Sequence, residues 1–139
     1  MALNSSTGVL YVTDSESKTV HAFSLDKSVS LGVIKCSNAR VGKLLINLKD
    51  QRLYCSTKEG LLLFFDISKL LPRPCHIMKL VKTPELERNY VKQMEFDAEK
   101  NFIVVRMKNS DVILIQLIDS RLNKLHITES LKFKSFADT

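Results

Sequence analysis

Apolar and polar residues alternate in short runs along most of this chain, and each run is closed by turn-forming residues. The runs cover 9–13, 19–25, 44–47, 53–56, 61–67, 91–96, 102–107, 112–118 and 125–128. A period of two places one set of side chains on each face of a strand, and many of these residues are β-branched or aromatic. Their lengths also suit strands rather than helices. The links between runs, such as Lys49-Asp50-Gln51, Lys58-Glu59-Gly60, Ala98-Glu99-Lys100-Asn101 and Asn109-Ser110-Asp111, are made of turn formers. Short strands joined by tight polar turns predict antiparallel meanders. Parallel units would require crossover helices, and no segment has that pattern.

A second, longer period runs through the strands. Gly8-Val9-Leu10-Tyr11-Val12, Arg52-Leu53-Tyr54-Cys55-Ser56 and Phe102-Ile103-Val104-Val105 begin three similar hairpins, and Leu10, Leu53 and Ile103 are spaced by 43 and then 50 residues. Phe23, Phe65 and Ile115 in the following strands are spaced by 42 and 50. Aligning Val33-Ile34 with His76-Ile77 and His126-Ile127 gives 43 and 50 again for a further strand. An opening strand precedes the second copy at 41–47 and the third at 90–96, whereas the first copy has only the short, polar stretch 1–5. The expectation is an all-β chain of tandem four-stranded antiparallel blades, a partial β-propeller, with a two-sheet β-sandwich as the structural alternative. Four strands every 40 to 50 residues is the spacing of propeller blades. Blade 1 is placed at about 1–36 and expected to be incomplete, blade 2 at about 37–86, blade 3 at about 87–130, with a tail at 131–139 that would add a strand to an open edge.

The chain resembles the WD-repeat propeller family at the ends of its third strands, where Phe23-Ser24, Phe65-Asp66 and Ile115-Gln116 stand in place of Trp-Asp. Phe65-Asp66 is the nearest to that pattern, and the Gly-His pair of the family is missing from every copy. Leu10-Tyr11-Val12-Thr13-Asp14, followed by Lys18-Thr19-Val20, is similar to the Tyr-Val-Thr-Asn type of propeller repeat. The resemblance implies a repeat protein used as an interaction scaffold in the cytoplasm or nucleus. Propellers close with about four to eight blades, so three predict a need for further blades or another chain.

The 50-residue spacing comes from the longer link 68–89, which carries Pro72 and Pro74 and a helical turn signalled by Thr83-Pro84. Inserted loops lie on propeller rims, which makes Arg73, Glu85, Glu87 and Arg88 the candidate protein-binding residues.

Composition changes this picture little. The formal charge of +6 comes from 21 Lys and Arg scattered along the chain without a run of three, which predicts a solvated basic surface rather than a nucleic-acid or membrane site. Cys36, Cys55 and Cys75 are odd in number and widely spaced, as in a reducing, intracellular compartment. His21, His76 and His126 are too far apart for a zinc motif, and Asp14, Asp26, Asp66, Asp97 and Asp111 fall at strand ends and turns. No phosphate-binding Gly-rich loop or nucleophile elbow is present. The expectation is a protein-binding module without catalytic residues, metal or cofactor. The alternatives are a propeller hydrolase or lactonase and a basic surface for nucleic acid or anionic lipid.

Overall fold

A computed structural model of the chain describes residues 1–13, 18–36, 39–69, 71–80, 90–108, 111–119 and 124–132. Twelve strands are found there: β1 (Ala2–Asn4), β2 (Val9–Val12), β3 (Thr19–Ser24), β4 (Val29–Lys35), β5 (Val41–Asn47), β6 (Arg52–Thr57), β7 (Leu61–Asp66), β8 (Pro74–Lys79), β9 (Val91–Asp97), β10 (Phe102–Met107), β11 (Asp111–Asp119) and β12 (Lys124–Lys132). They form three four-stranded antiparallel meanders, β1 to β4, β5 to β8 and β9 to β12. Blades 1, 2 and 3 are these three sheets.

Strand register makes the repeat explicit. Leu3 lies opposite Leu10 and Leu10 opposite Phe23 in blade 1. Ile46, Leu53 and Phe65 are aligned in the same way in blade 2, and Phe96, Ile103 and Ile115 in blade 3. The first blade is therefore not incomplete: three residues, Ala2–Asn4, supply its opening strand. Their shortness hides the alternation that marks longer strands.

The alignment of the fourth strands needs correction. Val33 pairs with His21 and Ile77 with Leu63, but the corresponding Ile113 pairs with Ser130. His76 sits opposite Phe64 and His126 opposite Gln116, so the two histidines do not share a repeat position. A bulge interrupts every pairing of a third with a fourth strand, and each bulge shifts the count by a residue. Leu131 and Lys132, expected in a separate tail strand, continue β12. The rest of the tail and the helical turn at 83–87 lie outside the described residues.

The turn after each opening strand is built the same way. Asn4, Asn47 and Asp97 end these strands, and each side-chain oxygen accepts a backbone N–H from within the turn: Ser6 at 3.1 Å, Asp50 at 3.3 Å and Glu99 at 3.1 Å. The turn then ends on a left-handed residue, Gly8 (φ 72), Gln51 (φ 52) or Asn101 (φ 55). Side-chain capping of this kind holds the backbone in a tight hairpin. At Gly8 a side chain would also meet the Asp26 carboxylate, 2.8 Å from where a Cβ would stand. From these positions the carbonyls of Gly8, Gln51 and Asn101 accept the N–H groups of Leu25, Ile67 and Leu117 at 2.9 to 3.0 Å, fixing the third strand in the same register in all three blades.

Packing occurs between blades, in two cores. Tyr11, Val20, Ala22 and Ile34 of blade 1 meet Leu53, Cys55, Leu63 and Phe65 of blade 2. On the other face of blade 2, Tyr54, Leu62 and Phe64 meet Ile103, Val105, Ile113 and Ile115 of blade 3. Three sheets with two cores exclude the two-sheet sandwich, which has a single core. The strands β6 and β7 lie between the two cores and are buried on both faces, so they lose the alternation that β3 and β10 keep. The long link of blade 2 also reaches blade 1, where Leu71 lies over Gly32 and a Cβ there would come within 2.9 Å of it.

Candidate interaction surface

Each blade has a leading face, turned toward the next blade, and a trailing face, turned toward the one before. The trailing columns, defined by register, are Leu10–Leu53–Ile103, Val12–Cys55–Val105, His21–Leu63–Ile113, Phe23–Phe65–Ile115 and Leu25–Ile67–Leu117. In blades 2 and 3 all ten of these residues are buried. In blade 1 the same five positions are open: Leu25 is 50% exposed, His21 is exposed, and Leu10, Val12 and Phe23 are half-buried. Leu3, at the place of the packed Ile46 and Phe96, is 46% exposed. His21 and Phe23 stack there with ring centroids 6.3 Å apart. Five of these six positions are apolar, and Thr19 and Lys35 share the face with them by register.

The leading face of blade 3 is the other open end. Val104, Val112 and Leu114 occupy the columns of Tyr54, Leu62 and Phe64, and Val104 is 36% exposed. Gln93, Glu95, Val104, Arg106 and Val112 line a shallow depression of about 190 Å³. Gln93 donates to Glu95 at 3.0 Å along one side of it. Arg106 stands in the column of Thr13 and Ser56, where polarity recurs in all three blades. Glu95 is the departure, since it takes the place of Ala2 and Leu45.

The polar groups foreseen from sequence fall into three sets. Arg73 is exposed on the link before β8, beside buried Pro72, while Glu85, Glu87 and Arg88 lie outside the described residues. Asp66 caps its turn, accepting the Ser68 hydroxyl at 2.6 Å and Arg52 Nη1 at 3.2 Å, and the Ser68 hydrogen bond holds its carboxyl below the usual value. Among the described residues, no three His, Cys, Asp or Glu side chains converge to hold a metal. Cys36 and Cys55 meet across the first core, where the hydrogen bond with Cys36 and then burial push the Cys55 thiol up. Cys75 is exposed and its thiol donates to the Phe64 carbonyl at 3.2 Å.

Two polar features were not singled out in the sequence. Asn47 is fully buried and its amide donates to both Asp50 and the Tyr54 hydroxyl at 3.2 Å, while burial raises the Tyr54 pKa to about 12. Asn4 is also fully buried and donates across the blade boundary to Gln51 at 3.0 Å. The signal was available, because Asn4, Asn47 and Asp97 are spaced by the same 43 and 50 residues as the strands. Tyr11 and Tyr54 share a column, but Phe102 aligns with Val9 and Arg52.

No protein-family model matches the chain, and neither does any curated protein. Solved structures do match. Raptor from Chaetomium thermophilum superposes with a TM-score of 0.73 at 13% identity, over 96% of this chain and 12% of that one. The periplasmic gluconolactonase PpgL from Pseudomonas aeruginosa superposes with a TM-score of 0.78 at 11% identity, over 94% of this chain and 39% of that one. Both neighbours are propeller proteins, and the fold of this chain is propeller-like. The chain spans well under half the length of either.

Proposed function

We propose that the chain is a protein-binding module of propeller type that works through its surfaces and carries out no chemistry of its own. The observation behind this reading is the trailing face of blade 1. It keeps the apolar pattern of an inter-blade interface while exposing it, and large exposed apolar patches mark protein contact sites. The rim link 68–73 offers a second, polar surface, with Arg73 exposed beside the rigid Pro72 and Pro74. Three cysteines without a disulfide suit an intracellular setting for such a module.

The test is capture of a protein partner by the immobilised chain from extracts of its own cells. The reading expects a defined partner that persists at high salt and is lost with Arg73→Glu or Phe23→Arg. Retention of nucleic acid or anionic vesicles alone, falling steeply as salt rises, would replace it with electrostatic binding. Turnover of gluconolactone by the purified chain would replace it with the enzyme reading.

A further inference from the structure

The fold gathers lysines that lie far apart in the sequence at the ends of the blades. In each blade the turns after the first and third strands lie at one end. The start of the first strand and the turn after the second lie at the other. At the first end Lys27, Lys49 and Lys100 each adjoin a carboxylate in the same turn, Asp26, Asp50 and Glu99. At the second end Arg40, Lys43 and Lys58 of blade 2 and Lys92 and Lys108 of blade 3 are all exposed. Among the described side chains at that end of blades 2 and 3, the one carboxylate is Glu59, and it is paired with Arg40 at 3.1 Å. The arrangement repeats between the two blades. Lys58 and Lys108 each follow the second strand, and their N–H groups donate to the Arg40 and Tyr90 carbonyls at 2.9 Å. Lys43 and Lys92 lie where a bulge interrupts β5 and β9, which breaks the strand alternation and leaves both exposed. The strands β5 and β9 are neighbours, so these lysines gather at the boundary between blades 2 and 3. Tyr90, 40% exposed, stands there with Lys108 Nζ 5.5 Å from its ring centre.

Resting on the protein-binding reading above, we propose that this end of blades 2 and 3 takes an acidic segment of the partner protein. Its carboxylates meet Lys43, Lys92 and Lys108, and an apolar side chain lies on the Tyr90 ring. Charges of one sign gathered on one surface attract a ligand of the other sign, and the local excess of lysine supplies that attraction here. Stacking of neighbours covers the faces of blades and leaves their ends open, so the site is present whatever adjoins blade 1 or blade 3. Two observations favour a peptide over a nucleic acid. Phosphates are best held by forked guanidinium groups, and the Arg40 guanidinium is already engaged by Glu59, which leaves point-charge ammonium groups. Single strands also need several rings to stack on, and Tyr90 is the one exposed Phe, Tyr or Trp ring among the described residues.

The probe is a fluorescein-labelled peptide rich in Asp and Glu with one central Phe, titrated with the purified chain by fluorescence anisotropy at low salt. Saturable binding is expected, weakening as salt rises because exposed charges are screened over about 8 Å at physiological ionic strength. That salt dependence separates the isolated peptide from the salt-resistant capture of a whole partner. The double variant Lys43→Glu, Lys92→Glu is expected to weaken binding about ten-fold or more, since each reversal exchanges an attraction for a repulsion. Lys27→Glu with Lys49→Glu makes the same change in net charge at the opposite end and is expected to weaken it about two-fold or less. Thermal melts report whether the variants fold, and Gln in place of Glu repeats both comparisons if either does not. No binding at low salt overturns the inference, as do equal losses from the two pairs of substitutions. Tighter binding of a single-stranded oligonucleotide of matching charge, with the same dependence on Lys43 and Lys92, would assign this end to nucleic acid instead. Failure here leaves the protein-binding reading intact, because capture of a partner through Arg73 and Phe23 does not require Lys43 or Lys92.

Discussion

Blade 2 and blade 1 share one strand plan, yet the same columns of residues have different fates in them. Phe65 is fully buried between blades, while Phe23, at the same register, is half-buried on an open face. The strands β6 and β7 are apolar on both sides, as a blade with two neighbours requires, while β3 alternates. Burial in a stacked repeat is therefore a property of position in the stack as much as of the side chain.

The sharpest way to break the comparison is to truncate both phenylalanines. Phe65→Ala is expected to lower unfolding free energy by about 3 to 5 kcal/mol, the range for a large buried aromatic. Phe23→Ala should cost about 1 to 2 kcal/mol, because the half-buried ring already meets water on one side. Equal losses in urea unfolding would mean that the trailing face of blade 1 is covered within a single chain.

A smaller effect separates the blades by pH. Tyr54 has a folded pKa of about 12 through burial, above the ordinary value of about 10. Its neutral form is favoured in the fold, so its contribution is complete below pH 10 and is lost as pH rises toward 12, when the unfolded chain ionises first. About 2 to 3 kcal/mol is expected to disappear over that window. Urea midpoints at pH 9 and pH 12 should diverge for the native chain and less so for Tyr54→Phe.

The smallest contrast is between two left-handed turn residues. Gln51 receives the Asn4 amide and donates to the Leu48 carbonyl at 2.8 Å, so its conformation is supported by two hydrogen bonds. Asn101 stands in the same column with its side-chain oxygen buried and unpartnered among the described residues. The amide that would reach it, on Asn47, is engaged with Asp50 and Tyr54 instead. Asn101→Gly removes both the left-handed strain and the orphan oxygen and is expected to raise stability by about 1 kcal/mol. Gln51→Gly should show no gain, and thermal melts of the two variants side by side provide the check.

The repeat was legible because β2, β6 and β10 and the strands after them keep a fixed spacing and an apolar core pattern. The opening strand of blade 1 was not legible, since three residues are too few to alternate. The fourth strands were misaligned by bulges, which add residues without leaving a compositional trace. Arg73 is exposed on the link before β8, while Glu85, Glu87 and Arg88 lie outside the described residues. The open faces could not be read from the sequence, because Leu10, Leu53 and Ile103 look alike until their neighbours are known.

By itself, the sequence determined most of the strands, the turns between them and the period that makes three similar units. Those features follow from side-chain alternation and local backbone preference, which each segment carries alone. Only the tertiary structure decided which faces meet, that Asn4 reaches Gln51 across a blade boundary, and that Glu95 and Arg106 share one face of blade 3. These depend on contacts between residues tens of positions apart, and the stacking of blades creates such contacts after the local pattern has been set.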